Sequence, residues 1–361
     1  MPNFNAGLLT LARESREVSQ SDLSLTTKIP QTLISRFEAG ITEPNDDQIS
    51  LIANALEYPR GLFFQEDRIF GFNASVFFHR KRADMPAKTL RRIHAVLNLT
   101  RMRVNRLMLA ASISPEFELM RMSVEDFGSP ENIARHVRAQ LHLPMGPVNN
   151  LTAAVEDVGV IIVTHKFGSR RTDAVSEWIP GHQPLVLMNV DDCVGGDRYR
   201  WTLAHELGHL IMHAFPSEKM EEEANRFASE FLMPESEIRH QLRNVRLAHL
   251  ALLKGIWKVS MGALLERAKQ LGTINATQHR YMRIKFGKLH YNMREPAELD
   301  IPVEKPTLLG GLVNAHIREL HYGVTDLAQL LSLFPDECAK LYAPEFSNQG
   351  LRLMRPTTLM A

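Results

Sequence analysis

The chain has 361 residues, of which 44% are hydrophobic and 23% charged, and its formal net charge is +1. That length suggests two or three domains, and the near-zero charge excludes a global field for nucleic acid, so any DNA contact has to come from a local patch. Two distant cysteines, Cys193 and Cys338, exclude a disulfide framework; no apolar run approaches the roughly 18 residues of a membrane helix, and the first residues lack the apolar core of a signal peptide. A cytoplasmic chain with no membrane partner is expected.

Residues 7–58 carry short helical periods and end at Tyr58-Pro59. An aromatic, basic segment follows, in which the alternation at Ser75–Phe78 suggests a short strand. Residues 88–111 have apolar side chains at helical spacing and read as a long amphipathic helix with a basic face. At 129 a Ser-Pro-Glu sequence opens another helix, and 149–157 is a further one, stopped by Gly159. VIIVTH (160–165) and PLVLMNV (184–190) are apolar and rich in β-branched residues, so both are expected as buried strands. Helix, strand, strand and then the long helix through His205 make a small α+β unit. Nearly everything from Glu221 to Gly287 is helical in pattern, 295–306 is a Pro-punctuated linker, and 307–342 forms a last pair of helices.

Within the first segment, SQSDLSLTTKIPQTLISRFEAG (19–40) divides into a helix from Gln20, a turn at Lys28–Pro30, and a helix from Gln31 to Ala39 stopped by Gly40. With the preceding helix to Glu17 it resembles the helix-turn-helix of the XRE, or Cro/cI-repressor, family. Ile34 and Phe37 face the core, which leaves Gln31, Thr32 and Arg36 outside. The resemblance puts those three on base edges and Gln20 on a phosphate, so DNA is an implied partner. It also puts Arg13 and Glu38 at the positions of a structural ion pair. The sequence departs from the family at Ser24, Thr27 and Lys28, where a small residue and a Leu-Gly pair are usual.

TLAHELGHLIMH (202–213) contains the pattern H-E-x-x-H. Two imidazoles one helical turn apart, His205 and His209, reach a single zinc ion, while Glu206 points at the open coordination position and takes a proton from the bound water. A hydrolytic zinc usually has three protein ligands. His213 is eight residues from His205, about 12 Å along the axis, too far for the same ion; it reads as a helix-end histidine near the C-terminal dipole. A third histidine of the metzincin kind is excluded by Phe215. The acidic run Glu221–Glu223 at the head of EEEANRFASEFLMP (221–234) is the better source. Cys193 reads as an ordinary thiol.

These two stretches together look like the ImmA/IrrE family of bacterial and phage metallopeptidases, and the likeness extends through SEWIP (176–180), PLVLMN and 252–272, covering most of 70–290. Matched residue by residue, the family's third ligand falls on Glu221, with Glu223 as fallback, and Asn225 stands behind the ligands. One Zn2+ ion is the implied cofactor. PLVLMN, through Leu187 and Asn189, is a candidate edge strand that receives substrate by β-augmentation, and Arg198, Tyr199 and His213 are candidate oxyanion donors.

The expected fold is mostly α, with a small α+β zincin-like (gluzincin-type) metallopeptidase domain and an N-terminal all-α helix-turn-helix domain. The expected division is a DNA-binding domain over 1–65, a linker with an amphipathic helix over 66–128, the peptidase domain with its helical extension over 129–290, and a Pro-rich linker and helical tail over 291–361. The resemblance implies a zinc endopeptidase that cleaves a helix-turn-helix repressor or antitoxin, in a stress-response, mobile-element or toxin–antitoxin setting. The alternative is a transcription regulator whose zinc domain senses a ligand or binds a partner without proteolysis. Homodimer contacts are expected, if anywhere, from helix 88–111 or the tail 307–342.

Overall fold

The computed structural model describes residues 3–71, 85–111, 119–169, 172–191, 195–243 and 245–342. The expected strand at Ser75–Phe78 and Cys193 lie outside these residues.

Four helices, α1 (Ala6–Ser15), α2 (Gln20–Thr27), α3 (Gln31–Glu38) and α4 (Asp46–Leu56), and a 3-10 turn (Arg60–Phe64) form the N-terminal unit. Their starts follow from their caps: the Asn5 side chain accepts from the Leu8 amide, and Ser19 with Asp22 and Asn45 with Gln48 form reciprocal capping boxes. Leu8, Leu23, Ile34, Phe37, Ile52 and Phe63 make its core. The departure at the turn is absorbed locally. Lys28 itself takes the left-handed conformation, with φ +60, and the buried Thr27 hydroxyl donates to the Leu23 carbonyl at 2.7 Å. A non-glycine residue there costs roughly 1–2 kcal/mol, which the four-helix core outweighs.

Helix α5 (Ala87–Ala111) is not a linker element. Ala95, Leu99 and Met102 complete the N-terminal core, while Ile93, Leu97 and Val104 cover one face of a sheet. Its last turns, through Leu107, pack on the C-terminal helices. Arginines of its basic face form ion pairs, Arg91 with Glu14 at 3.5 Å, Arg92 with Glu17 at 3.4 Å, and Arg106 with Asp67.

After α6 (Val124–Phe127), α7 (Pro130–Gln140) and α8 (Leu151–Glu156) come three strands, β1 (Ile161–His165), β2 (Ala174–Glu177) and β3 (Leu185–Asn189). The order is β1-β3-β2, with β1 parallel and β2 antiparallel to β3, so that Val163 and Val175 both stand opposite Leu187. Ile162, Val186 and Met188 face the main core; Ile161, Val175, Leu185 and Leu187 face α5. A sheet covered on both sides shows no alternation, which is why β1 and β3 read as plain apolar runs.

Two expectations change here. Among the described residues the unit has three strands, the third going unread because the short segment AVSE at β2 carries too little apolar character to stand out. And PLVLMN is the central strand, paired on both sides: Leu187 is fully buried, and the Asn189 amide bonds the carbonyls of Ser169 and Thr172, each at 2.8 Å. Neither residue lies on an edge. The edge strand next to the site is β2.

Helices α9 (Gly196–Met212), α10 (Met220–Leu232), α11 (Glu235–Ile238), α12 (Leu247–Trp257), α13 (Met261–Gln270) and α14 (Ala276–Lys288) complete the main core. The Pro-punctuated segment after them is a strap, not a free linker. Glu304 accepts from the Thr152 amide at 2.8 Å and pairs with Arg200, and Ile301 O accepts from the Gly196 amide at 2.9 Å. Gly196 is required there, since any Cβ would run into the Ile301 and Pro302 carbonyls. The last helices are three rather than two, α15 (Leu308–Arg318), α16 (Val324–Leu331) and α17 (Pro335–Leu341). Leu107, Val313, Leu327 and Leu331 share one cluster, so the two surfaces expected to carry dimer contacts pack on each other within the chain.

Candidate metal centre and nucleic-acid interface

Leu203, Leu207 and Leu210 bury one stripe of α9, and the periodicity then carries His205 and His209 to an adjacent stripe. Helix α10 packs across them. Its own apolar stripe, Ala224, Phe227, Ala228 and Phe231, faces inward. Close approach is allowed by Gly208, whose missing Cβ would stand 3.0 Å from Phe227 Cδ1. The first turn of α10 holds Glu221, Glu222 and Glu223, where carboxylates gain from the helix dipole.

This packing brings His205, His209 and Glu221 together, with one potential ligand atom from each lying within 4.8 Å of the others. The Nε2 atoms of the two histidines are 3.0 Å apart, and the Glu221 oxygens lie 3.2 Å from His209 Nε2 and 3.7 Å from His205 Nε2. With zinc–ligand bonds of roughly 2.0–2.1 Å, the edges of a coordination tetrahedron are about 3.3 Å. The donor set therefore fits one zinc-sized ion. A step of two residues turns a helix by about 200°, and Glu223 accordingly points elsewhere, to His213 at 3.0 Å. Asn225, one turn after Glu221, places its Oδ1 3.1 Å from His205 Nδ1.

Glu206 is buried, and the Ser176 hydroxyl on β2 donates to its Oε2 at 2.5 Å. Sequence reasoning missed Ser176; the SEWIP likeness was the only signal of it. The residue that follows, Glu177, is buried against Arg101 of α5 at 3.4 Å. Burial raises its carboxyl to about 7, outweighing the attraction of Arg101. His213 is 7% exposed, closes α9 and lies outside the three-residue cluster, with its Nδ1 2.9 Å from His209 Nδ1. Burial pushes it below its ordinary pKa, against the pull of Glu223. Of the other candidate oxyanion donors, Arg198 pairs with Asp173 at 2.8 Å and Tyr199 is buried in the main core.

On the N-terminal unit Gln31, Thr32 and Arg36 are exposed on α3, and Ile34 and Phe37 are buried beneath them. Arg13 and Glu38 form a two-pronged ion pair at 2.5 and 2.9 Å, and the Gln20 amide donates to the same Glu38 at 2.8 Å. A cleft of about 430 Å³ at the head of α3 is lined by Ser19, Gln20, Gln31 and, from α5, Lys88 and Arg91. Those two basic residues were not expected near this face, because nothing in the sequence shows α5 folding back onto α1.

Residues 155–269 match the family model of the IrrE N-terminal-like domain, a peptidase family, and residues 9–63 match a helix-turn-helix family model. The chain thus matches the ImmA/IrrE plus helix-turn-helix architecture, a region similar to the IrrE-like peptidase family behind an XRE-type helix-turn-helix region. No curated protein and no solved structure matches it. The IrrE-like match includes every residue of the three-residue cluster, Ser176 and Glu206, and its family is typically metal-dependent. The helix-turn-helix match includes α2 and α3 and supports DNA binding. Among the described residues no helix is long and apolar enough to cross a membrane.

Proposed function

We propose that the chain is an intracellular zinc-dependent endopeptidase, brought to DNA by its helix-turn-helix domain, that cleaves a helix-turn-helix repressor or antitoxin and so changes transcription. The observation that carries this reading is the convergence of His205, His209 and Glu221 beside the buried carboxylate of Glu206. A zinc ion at this site would supply Lewis acidity towards the scissile carbonyl and the attacking water. His205 and His209, through Nε2, and Glu221, through its carboxylate, would hold the ion. Glu206 takes the proton of the attacking water and passes it to the leaving amine, with Ser176 holding the carboxylate in place. Asn225 orients His205. Gln31, Thr32 and Arg36 read base edges, and Gln20 touches the backbone.

A peptidase with no DNA contact of its own would meet a rare repressor only by diffusion; on the operator, both are held on the same stretch of DNA. The test is to look for a small helix-turn-helix protein encoded beside this gene, to mix it with the purified chain, with Zn2+ or with a chelator, and to follow the products by mass spectrometry. One defined cut that needs the metal is expected. An intact partner after incubation with the zinc-loaded chain overturns the reading.

A further inference from the structure

Behind the three converging side chains runs a second line of contacts. His209 Nδ1 lies 2.9 Å from His213 Nδ1, and His213 Nε2 lies 3.0 Å from Glu223 Oε2. The two rings are 5.0 Å apart, and His213 is 7% exposed. His213 lies outside the three-residue cluster, yet its ring is placed between a ligand and a carboxylate.

Hydrogen bonding allows one assignment of protons for this line when His209 binds a cation through Nε2. The lone pair at His209 Nε2 has to be free, so the ring proton sits on Nδ1 and is donated to His213 Nδ1. His213 then carries its own proton on Nε2 and donates it to the Glu223 carboxylate. The same logic holds on the other ligand, where His205 Nδ1–H donates to Asn225 Oδ1 at 3.1 Å and leaves Nε2 free. Both Nε2 lone pairs face Glu221. Two lone pairs 3.0 Å apart repel unless a cation lies between them.

We infer that His213 and Glu223 are positioning residues that fix the tautomer and ring orientation of His209 and so raise the affinity of the site for its metal. This rests on the metal-site reading of His205, His209 and Glu221. It also gives two residues of the acidic run different work: Glu221 faces the ion, and Glu223 holds the histidine behind it. Outer partners of metal-bound histidines typically change affinity by about 10–100-fold when lost.

The test uses the full chain, with Zn2+ as the probe in competition against a chromophoric chelator, and with 15N-labelled histidine to read each ring's tautomer without metal. His213→Leu and Glu223→Ala are each expected to weaken Zn2+ binding by about 10–100-fold and to release His209 from the Nδ1–H tautomer. His213→Asn, whose amide oxygen replaces the Nδ1 acceptor, recovers most of the affinity. Glu222→Ala, on the exposed side of α10, leaves both readings unchanged. If His213→Leu is too unstable to purify, Glu223→Ala decides alone, because it leaves the buried ring in place. Wild-type affinity and tautomer in Glu223→Ala overturn the inference. A wild-type chain that binds no Zn2+ overturns the metal-site reading beneath it, and the tautomer spectra tell the two failures apart.

Discussion

Arg101 on α5 and Glu177 on β2 meet at 3.4 Å, each with 3% of its side chain exposed. Helix α5 also lends Ala95, Leu99 and Met102 to the helix-turn-helix core, so this pair ties the DNA-facing unit to the strand that carries Ser176. Burial holds the Glu177 carboxyl at about 7, against an ordinary 4.5. Between those values the unfolded chain has released the proton and the folded chain still holds it. Stability therefore falls as pH rises across that window, by about 3 kcal/mol at most, and levels off above about 7. Glu177→Gln has no such proton. Its Tm is expected to gain on the wild type as pH rises through the window; parallel melting curves would sink the assignment.

Ser176 donates to Glu206 across a buried gap of 2.5 Å. Removing the hydroxyl leaves the carboxylate free to turn away from the substrate. Ser176→Ala is expected to lower kcat by roughly 10–100-fold with little change in KM or in bound metal, and Ser176→Thr to restore much of it. Loss of metal in Ser176→Ala would mean the bond serves the fold instead.

At Gly208 a Cβ would press on Phe227 at 3.0 to 3.3 Å. Gly208→Ala therefore pushes α10, and Glu221 with it, away from the histidines. A loss of about 1–3 kcal/mol in stability is expected, together with weaker Zn2+ binding, read by melting and by titration. Unchanged binding would show that α10 has slack that this packing does not suggest.

For the DNA-facing unit, Arg36→Ala is expected to cost about 1–3 kcal/mol on the operator and to relax specificity at one base position. A binding-site selection experiment reads both. If affinity falls equally on every sequence, Arg36 touches the backbone and not a base edge.

Much of this site was legible because its signals are local. H-E-x-x-H places His205, Glu206 and His209 on one helix by periodicity alone, and Ser129 marks a helix start through a cap that acts over three residues. What was not legible depends on packing between distant segments. Ser176 reaches Glu206 only because β2 is an edge strand beside α9, and AVSE has no pattern to announce it. The same holds for Lys88 and Arg91 near α3, and for β3, whose apolar run fits an edge or a centre equally well. Prolines in 295–306 suggested a free linker. Glu304 and Ile301 bind that strap to buried partners instead, a contact across more than a hundred residues.

The most direct test of the catalytic account is Glu206→Gln, with metal content and cleavage measured on the same sample. One Zn2+ per chain, a wild-type melting temperature and no cleavage of the partner repressor are expected, because the amide keeps the shape of the side chain and cannot take the proton from water. Cleavage at the wild-type rate by that zinc-loaded variant would contradict the account.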